Sequence, residues 1–144
     1  MAGGGVRIGW LALDGGSGTS TAEGRDFLVE SDRLRLVIGN DGGGIERHQR
    51  FGRLLELSAR QEPQDELVQL GTVVYVAGSP LPLRVVGIDV VRDGERPVLT
   101  VQEVSRDGRL QLRTQYRLAP GQDYVELVST VTNVSGTPVA AVQL

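Results

Sequence analysis

The 144-residue chain contains no cysteine and no lysine, one histidine (His48), one tryptophan (Trp10), and only 4% aromatic residues. Without cysteine there can be no disulfide, no thiol nucleophile and no cysteine-ligated zinc. Without lysine, Schiff-base catalysis and a phosphate-loop lysine are excluded. A single histidine cannot build a multi-histidine metal centre, and no His/Asp/Glu spacing matches a metal motif. No cofactor is expected. All fifteen basic residues are arginine, and eighteen acids leave a net charge of −3, which offers no field to draw in a phosphate backbone. The scarcity of rings removes the usual stacking platform for single strands, so nucleic acid is not an expected partner.

No run reaches the ~20 apolar residues of a membrane helix. Val6 to Leu13 is shorter than a signal-peptide core and has no basic leader. These features read as cytoplasmic by default, or as extracytoplasmic if the chain belongs to a longer secreted protein.

What the sequence does contain is alternation. Leu110, Leu112, Thr114, Tyr116 and Leu118 alternate with Gln111, Arg113, Gln115 and Arg117, the period of two that gives a strand one apolar and one polar face. Ala119-Pro120-Gly121-Gln122 is turn chemistry, and a partner strand follows over Tyr124 to Thr132. Further strands are expected at Val6 to Leu13, Phe27 to Glu30, Arg33 to Ile38, Leu67 to Val76, Leu83 to Arg92 and Val98 to Ser105. Arg53 to Ala59 fits a short helix or a strand, and a strand is preferred. Asp107-Gly108 reads as a type I′ hairpin turn. Residues 14 to 26 are small and polar and read as a linker, so residues 1 to 26 form a short strand plus linker and 27 to 144 the main domain. The expected fold is all-β, an antiparallel β-sandwich of about eight to ten strands with little or no helix.

Candidate chemistry is thin. Asn40-Asp41-Gly42-Gly43-Gly44 could let a backbone approach a phosphate or sugar, but no convincing helix start follows it, and a tight turn or bulge is the simpler reading. His48 stands among Glu46, Arg47, Arg50 and Arg53, a basic loop in which it could act as general acid or base if a carboxylate oriented it, and reads more simply as one polar member of that exposed loop. The Gln111/Arg113/Gln115/Arg117 stripe could hold carboxylates or sugar hydroxyls, or simply be a solvated face. Candidate ligand-binding residues are therefore Arg47, His48, Arg50, Arg113 and Arg117. Asp41, Glu103, Asp123 and Glu126 could supply paired carboxylates if the fold brought two together. Asn133-Val134-Ser135 fits a glycosylation sequon.

Phe27 to Ile38 running into Gly42-Gly43-Gly44-Ile45, and Tyr116 to Leu127 continuing through Thr130-Val131-Thr132-Asn133, resemble stretches of galactose-mutarotase-like β-supersandwich domains. The resemblance implies a carbohydrate-related sandwich, often one domain of a larger bacterial polysaccharide-active or surface protein. Such supersandwiches are longer than this chain, and their catalytic His and Glu fall where it offers no match, so no catalytic residue is carried over. The leading expectation is a non-catalytic module that binds carbohydrate or supports a larger carbohydrate-active assembly. A structural module acting through protein contacts is the alternative, and an aldose epimerase or lyase-like enzyme built on His48 comes third. Val139 to Leu144 is apolar and is expected either to pair beside Tyr124 to Thr132 or to offer an edge to another chain, which implies a homo-oligomer or contact with the rest of a longer protein.

Overall fold

A computed structural model describes residues 5–11, 26–40, 51–60, 70–93 and 96–144. Every regular element among them is a β-strand: β1 (Arg7–Leu11), β2 (Asp26–Glu30), β3 (Leu34–Ile38), β4 (Leu54–Ala59), β5 (Val74–Val76), β6 (Ser79–Leu81), β7 (Leu83–Asp93), β8 (Arg96–Ser105), β9 (Leu110–Arg117), β10 (Glu126–Asn133) and β11 (Val142–Gln143). They form three sheets, ordered β1-β2-β3-β4, β10-β9-β8-β7 and β11-β5-β6, and every pairing is antiparallel. The all-β sandwich expected from the alternation is the architecture found. No helix of the described residues is long and apolar enough to cross a membrane.

The β7–β10 sheet organises the molecule. One half of its inner face, through Leu99, Val101, Tyr116 and Leu118, packs on Phe27, Val29, Leu36, Ile38 and Leu54 of the β1–β4 sheet. The other half, through Leu110 and Leu112, packs on Val74 of the small sheet, with Val76, Leu81, Val131 and Val139 around it. The alternation in β9 thus fills two cores in succession. Between them runs a polar seam where the hydroxyls of Thr72, Thr114 and Ser129 lie 3.2 to 3.5 Å apart. Burying hydroxyls is tolerable only because they satisfy one another.

Turns match residue chemistry in most places. Pro120 and Gly121 (φ +75°) form a turn closed by the Gln122 amide donating to the Ala119 carbonyl at 3.3 Å, as a Pro-Gly pair favours. At Asp107-Gly108 the type I′ expectation is corrected. Only Gly108 has positive φ, and its amide donates to the Ser105 carbonyl at 2.9 Å, which gives a type I turn closed by a left-handed glycine. Asp107 instead accepts from the Ser105 hydroxyl and from the Arg109 amide, an interaction that a type I′ turn would not need. The type I′ geometry occurs elsewhere, at Ala77 (φ +50°) and Gly78 (φ +79°), between β5 and β6.

Two further expectations change. Of the strand expected over Leu67 to Val76, Leu67 to Gln69 lie outside the described residues, Leu70 makes an isolated bridge to Leu54, and β5 begins at Val74. Between them the chain crosses from one sheet to the next, and Gly71 lies where any Cβ would collide with the Arg53 guanidinium. The C-terminal segment pairs through Val142 and Gln143 with Val76 and Tyr75 of β5 rather than beside β10, because Val139 is drawn into the second core. Residues 12–25, which contain most of the expected linker, lie outside the described residues, and Asp26 opens β2.

Candidate ligand-binding face

The register fixes which side chains of the β7–β10 sheet face outward. Gln115 opposes Thr100 and Val128, Arg113 opposes Gln102 and Thr130, and Gln111 opposes Val104 and Thr132. A bulge between Val85 and Gly87 turns Val86 out toward this surface. Two hollows lie along it. The first, about 260 Å³, is bordered by Arg96, Arg117, Gln122, Tyr124 and Glu126, with Val98 buried at its floor. The second, about 350 Å³, is bordered by Val86, Gln102, Gln111, Arg113, Thr130 and Thr132.

In the first hollow Arg117 lies 3.8 Å from Glu126 and donates to the Gln115 side chain at 2.9 Å. Gln122 donates to the Tyr124 hydroxyl at 2.8 Å, and the ring is 58% exposed. An aromatic face, an amide, a guanidinium and a carboxylate therefore converge on one depression. Beside the second hollow Gln102 donates to Asp89 at 2.8 Å. In the row between the hollows, Thr100 is only 2% exposed and its hydroxyl has no hydrogen-bond partner among the described residues.

Of the five sequence-derived site residues, Arg113 and Arg117 are placed on this face, one at each hollow. Arg47, His48 and Arg50 lie outside the described residues, as does Asp41 of the glycine run. The carboxylates proposed for pairing are dispersed. Asp123 lies 3.6 Å from Arg33, Glu126 faces outward with Arg117, and Glu103 is opposite Leu112 on the buried side of the sheet. Glu103 is 6% exposed, and burial pushes its carboxyl above the usual carboxylate range while Arg53 opposes the shift. Burial, reinforced by Glu103 and opposed by Arg53, pushes the Tyr116 hydroxyl up to about 12. Glu103 also lines the second hollow, from its position opposite Leu112, and Tyr116 borders neither; shifted groups also occur in structural networks.

Sequence reading missed Arg96, Gln122 and the outward threonines of β10. The alternation Thr130, Thr132 was visible in the sequence, but the register that sets it beside Arg113 was not. Comparison of the chain with protein-family models, with curated proteins and with solved structures finds no match.

Proposed function

We propose that the chain is a non-catalytic β-sandwich module that binds carbohydrate on the outer face of its β7–β10 sheet. The observation that carries this reading is the exposed Tyr124 ring set beside Arg96, Arg117, Gln122 and Glu126. A pyranose offers an apolar C–H face and a rim of hydroxyls. An aromatic ring supplies area for the first, and charged or amide groups supply directional hydrogen bonds for the second. The hollow, open and shallow, suits a weakly held sugar better than an engulfed cofactor. The resemblance to carbohydrate-related supersandwiches supports the same reading.

Calorimetry against a panel of neutral and acidic glycans tests it. Binding that falls at least tenfold in Tyr124→Ala, with an unchanged far-ultraviolet circular dichroism spectrum, is the expected result. No binding across the panel overturns it.

A second reading, an assembly module, is favoured by β7. It is an 11-residue edge strand on which Val86, Val90 and Val91 are 46–49% exposed, and a long apolar edge is a template for strand addition. Under this reading the mass measured by light scattering rises with concentration, and Val90→Lys keeps the chain monomeric. A wild-type mass that stays monomeric at every concentration rules it out.

A further inference from the structure

The two hollows share one face of one sheet, and their guanidiniums are not equally engaged. Arg117 has Glu126 beside it, whereas the guanidiniums of Arg96 and Arg113 make no ion pair or hydrogen bond among the described residues. The outer face of the β1–β4 sheet is the opposite case. There Arg7 and Arg60 each reach Glu30, and Arg35 reaches Glu56. Among residues with described side chains, the outer face of the β7–β10 sheet carries Arg84, Arg96, Arg113 and Arg117 against Asp89 and Glu126. It is positive on a chain whose net charge is −3.

Spacing adds a second constraint. Arg96 lies six residues along β8 from Gln102, the residue paired with Arg113, so Arg96 and Arg113 are separated by about 20 Å along the strands. One pyranose cannot bridge that distance and a short chain can. Between the hollows lies the Thr100 hydroxyl, buried and without a hydrogen-bond partner among the described residues, a cost that a native fold rarely carries without compensation.

Building on the carbohydrate-binding reading, we propose that this face takes an acidic oligosaccharide laid along β8 and β9. One carboxylate meets Arg96 in the first hollow and another meets Arg113 in the second, with the sugar between them over the Thr100 row. Gln102, Gln111, Thr130 and Thr132 then supply hydroxyl partners along the second hollow. A nucleic acid would meet the same guanidiniums, but its bases call for several stacking rings, and among the described residues Tyr124 is the one ring bordering these hollows.

The test is calorimetry on the full chain with tetragalacturonate and tetramannuronate, their fully methyl-esterified forms, the two monosaccharides, and polyuridylate. Esterification removes charge while keeping length and hydroxyls. At least one acidic tetramer is expected to bind roughly tenfold more tightly than its ester and its monosaccharide, with affinity falling as salt is added. Arg96→Gln and Arg113→Gln are each expected to weaken that tetramer about threefold to fivefold, the size of an exposed ion pair. Equal binding of acid and ester overturns the acidic preference and leaves the carbohydrate reading standing. Equal binding of tetramer and monosaccharide overturns the two-hollow span. Polyuridylate binding as tightly as the tetramer shows a general polyanion patch and overturns the inference. Absence of binding by every sugar overturns both the inference and the reading on which it rests.

Discussion

The Gly121 amide donates to Asp32 Oδ1 at 2.7 Å, across 89 residues of sequence. This bond ties the β9–β10 turn to the β2–β3 turn and so joins the rims of the two facing sheets. Arg33 and Asp123 reinforce the contact at 3.6 Å, although both are exposed, and such a surface pair adds little. Asp32→Ala is expected to lower stability by about 1 kcal/mol, the net worth of one hydrogen bond. Urea denaturation checks this, and Arg33→Ala should change the midpoint much less.

Glu103 provides a pH dependence of defined sign. Its folded carboxyl titrates above the unfolded value because burial disfavours the charge. The protonated form therefore contributes stability that is fully present below the unfolded value and is lost as pH rises through the folded one. Glu103→Gln should be more stable than the wild type at neutral pH. That advantage should shrink as pH falls toward about 4.5, the ordinary carboxylate value, and be smallest below it. Thermal unfolding of both proteins from pH 4 to 8 measures the difference. A gap that stays constant across that range would show that the carboxyl does not change its charge on folding.

Ser105 is almost fully buried and works in two directions. Its hydroxyl accepts from the Leu110 amide at 3.0 Å and donates to Asp107. Ser105→Ala leaves that amide unsatisfied, at a cost of about 1–3 kcal/mol. The bond that the Ser105 hydroxyl donates to Asp107, joined by that from the Arg109 amide, holds the Asp107 carboxyl below its ordinary range. In the variant, Asp107 should titrate closer to the ordinary value, which carboxyl chemical shifts can follow by NMR.

Two glycines with positive φ should respond differently to alanine. A Cβ on Gly52 (φ +72°) would meet Val101 Cγ1 at 2.7 Å and Val85 Cγ2 at 2.8 Å, whereas one on Gly78 (φ +79°) meets open space. Both substitutions carry the left-handed backbone penalty of about 1–2 kcal/mol. Only Gly52→Ala adds overpacking, about 1–3 kcal/mol more. Denaturation midpoints of the two variants give the difference directly.

The sequence made β9 legible because its two faces meet opposite environments, core on one side and water on the other. The same rule failed between Leu70 and Val74. An apolar alternation continues there through a point where the chain changes sheets, and nothing in the pattern marks Gly71 as the place where Arg53 passes. The hairpin at Ala77-Gly78 was hidden because alanine seldom adopts a left-handed backbone. Arg113 and Arg117 could be placed on a common face from spacing alone. Their neighbours could not, since Arg96 and Glu126 enter through the pairing of β8 and β10 with β9. Thr100 occupies an outward register position yet is buried, a property set by the side chains around it and invisible to a period-of-two reading.

The order of strands also bears on how the chain reaches this state. In the β1–β4 and β7–β10 sheets every neighbour in space is a neighbour in sequence, so each hairpin can close without waiting for a distant partner. The shortest of these connections, three residues between β2 and β3, two between β7 and β8 and four between β8 and β9, cost little closure entropy and favour rapid formation. Among the described strands, the β11–β5 pairing departs from that pattern, bringing Gln143 beside Tyr75 through only two paired residues. It requires the whole meander between them to be in place, which sets it last in assembly and first to open as the protein unfolds.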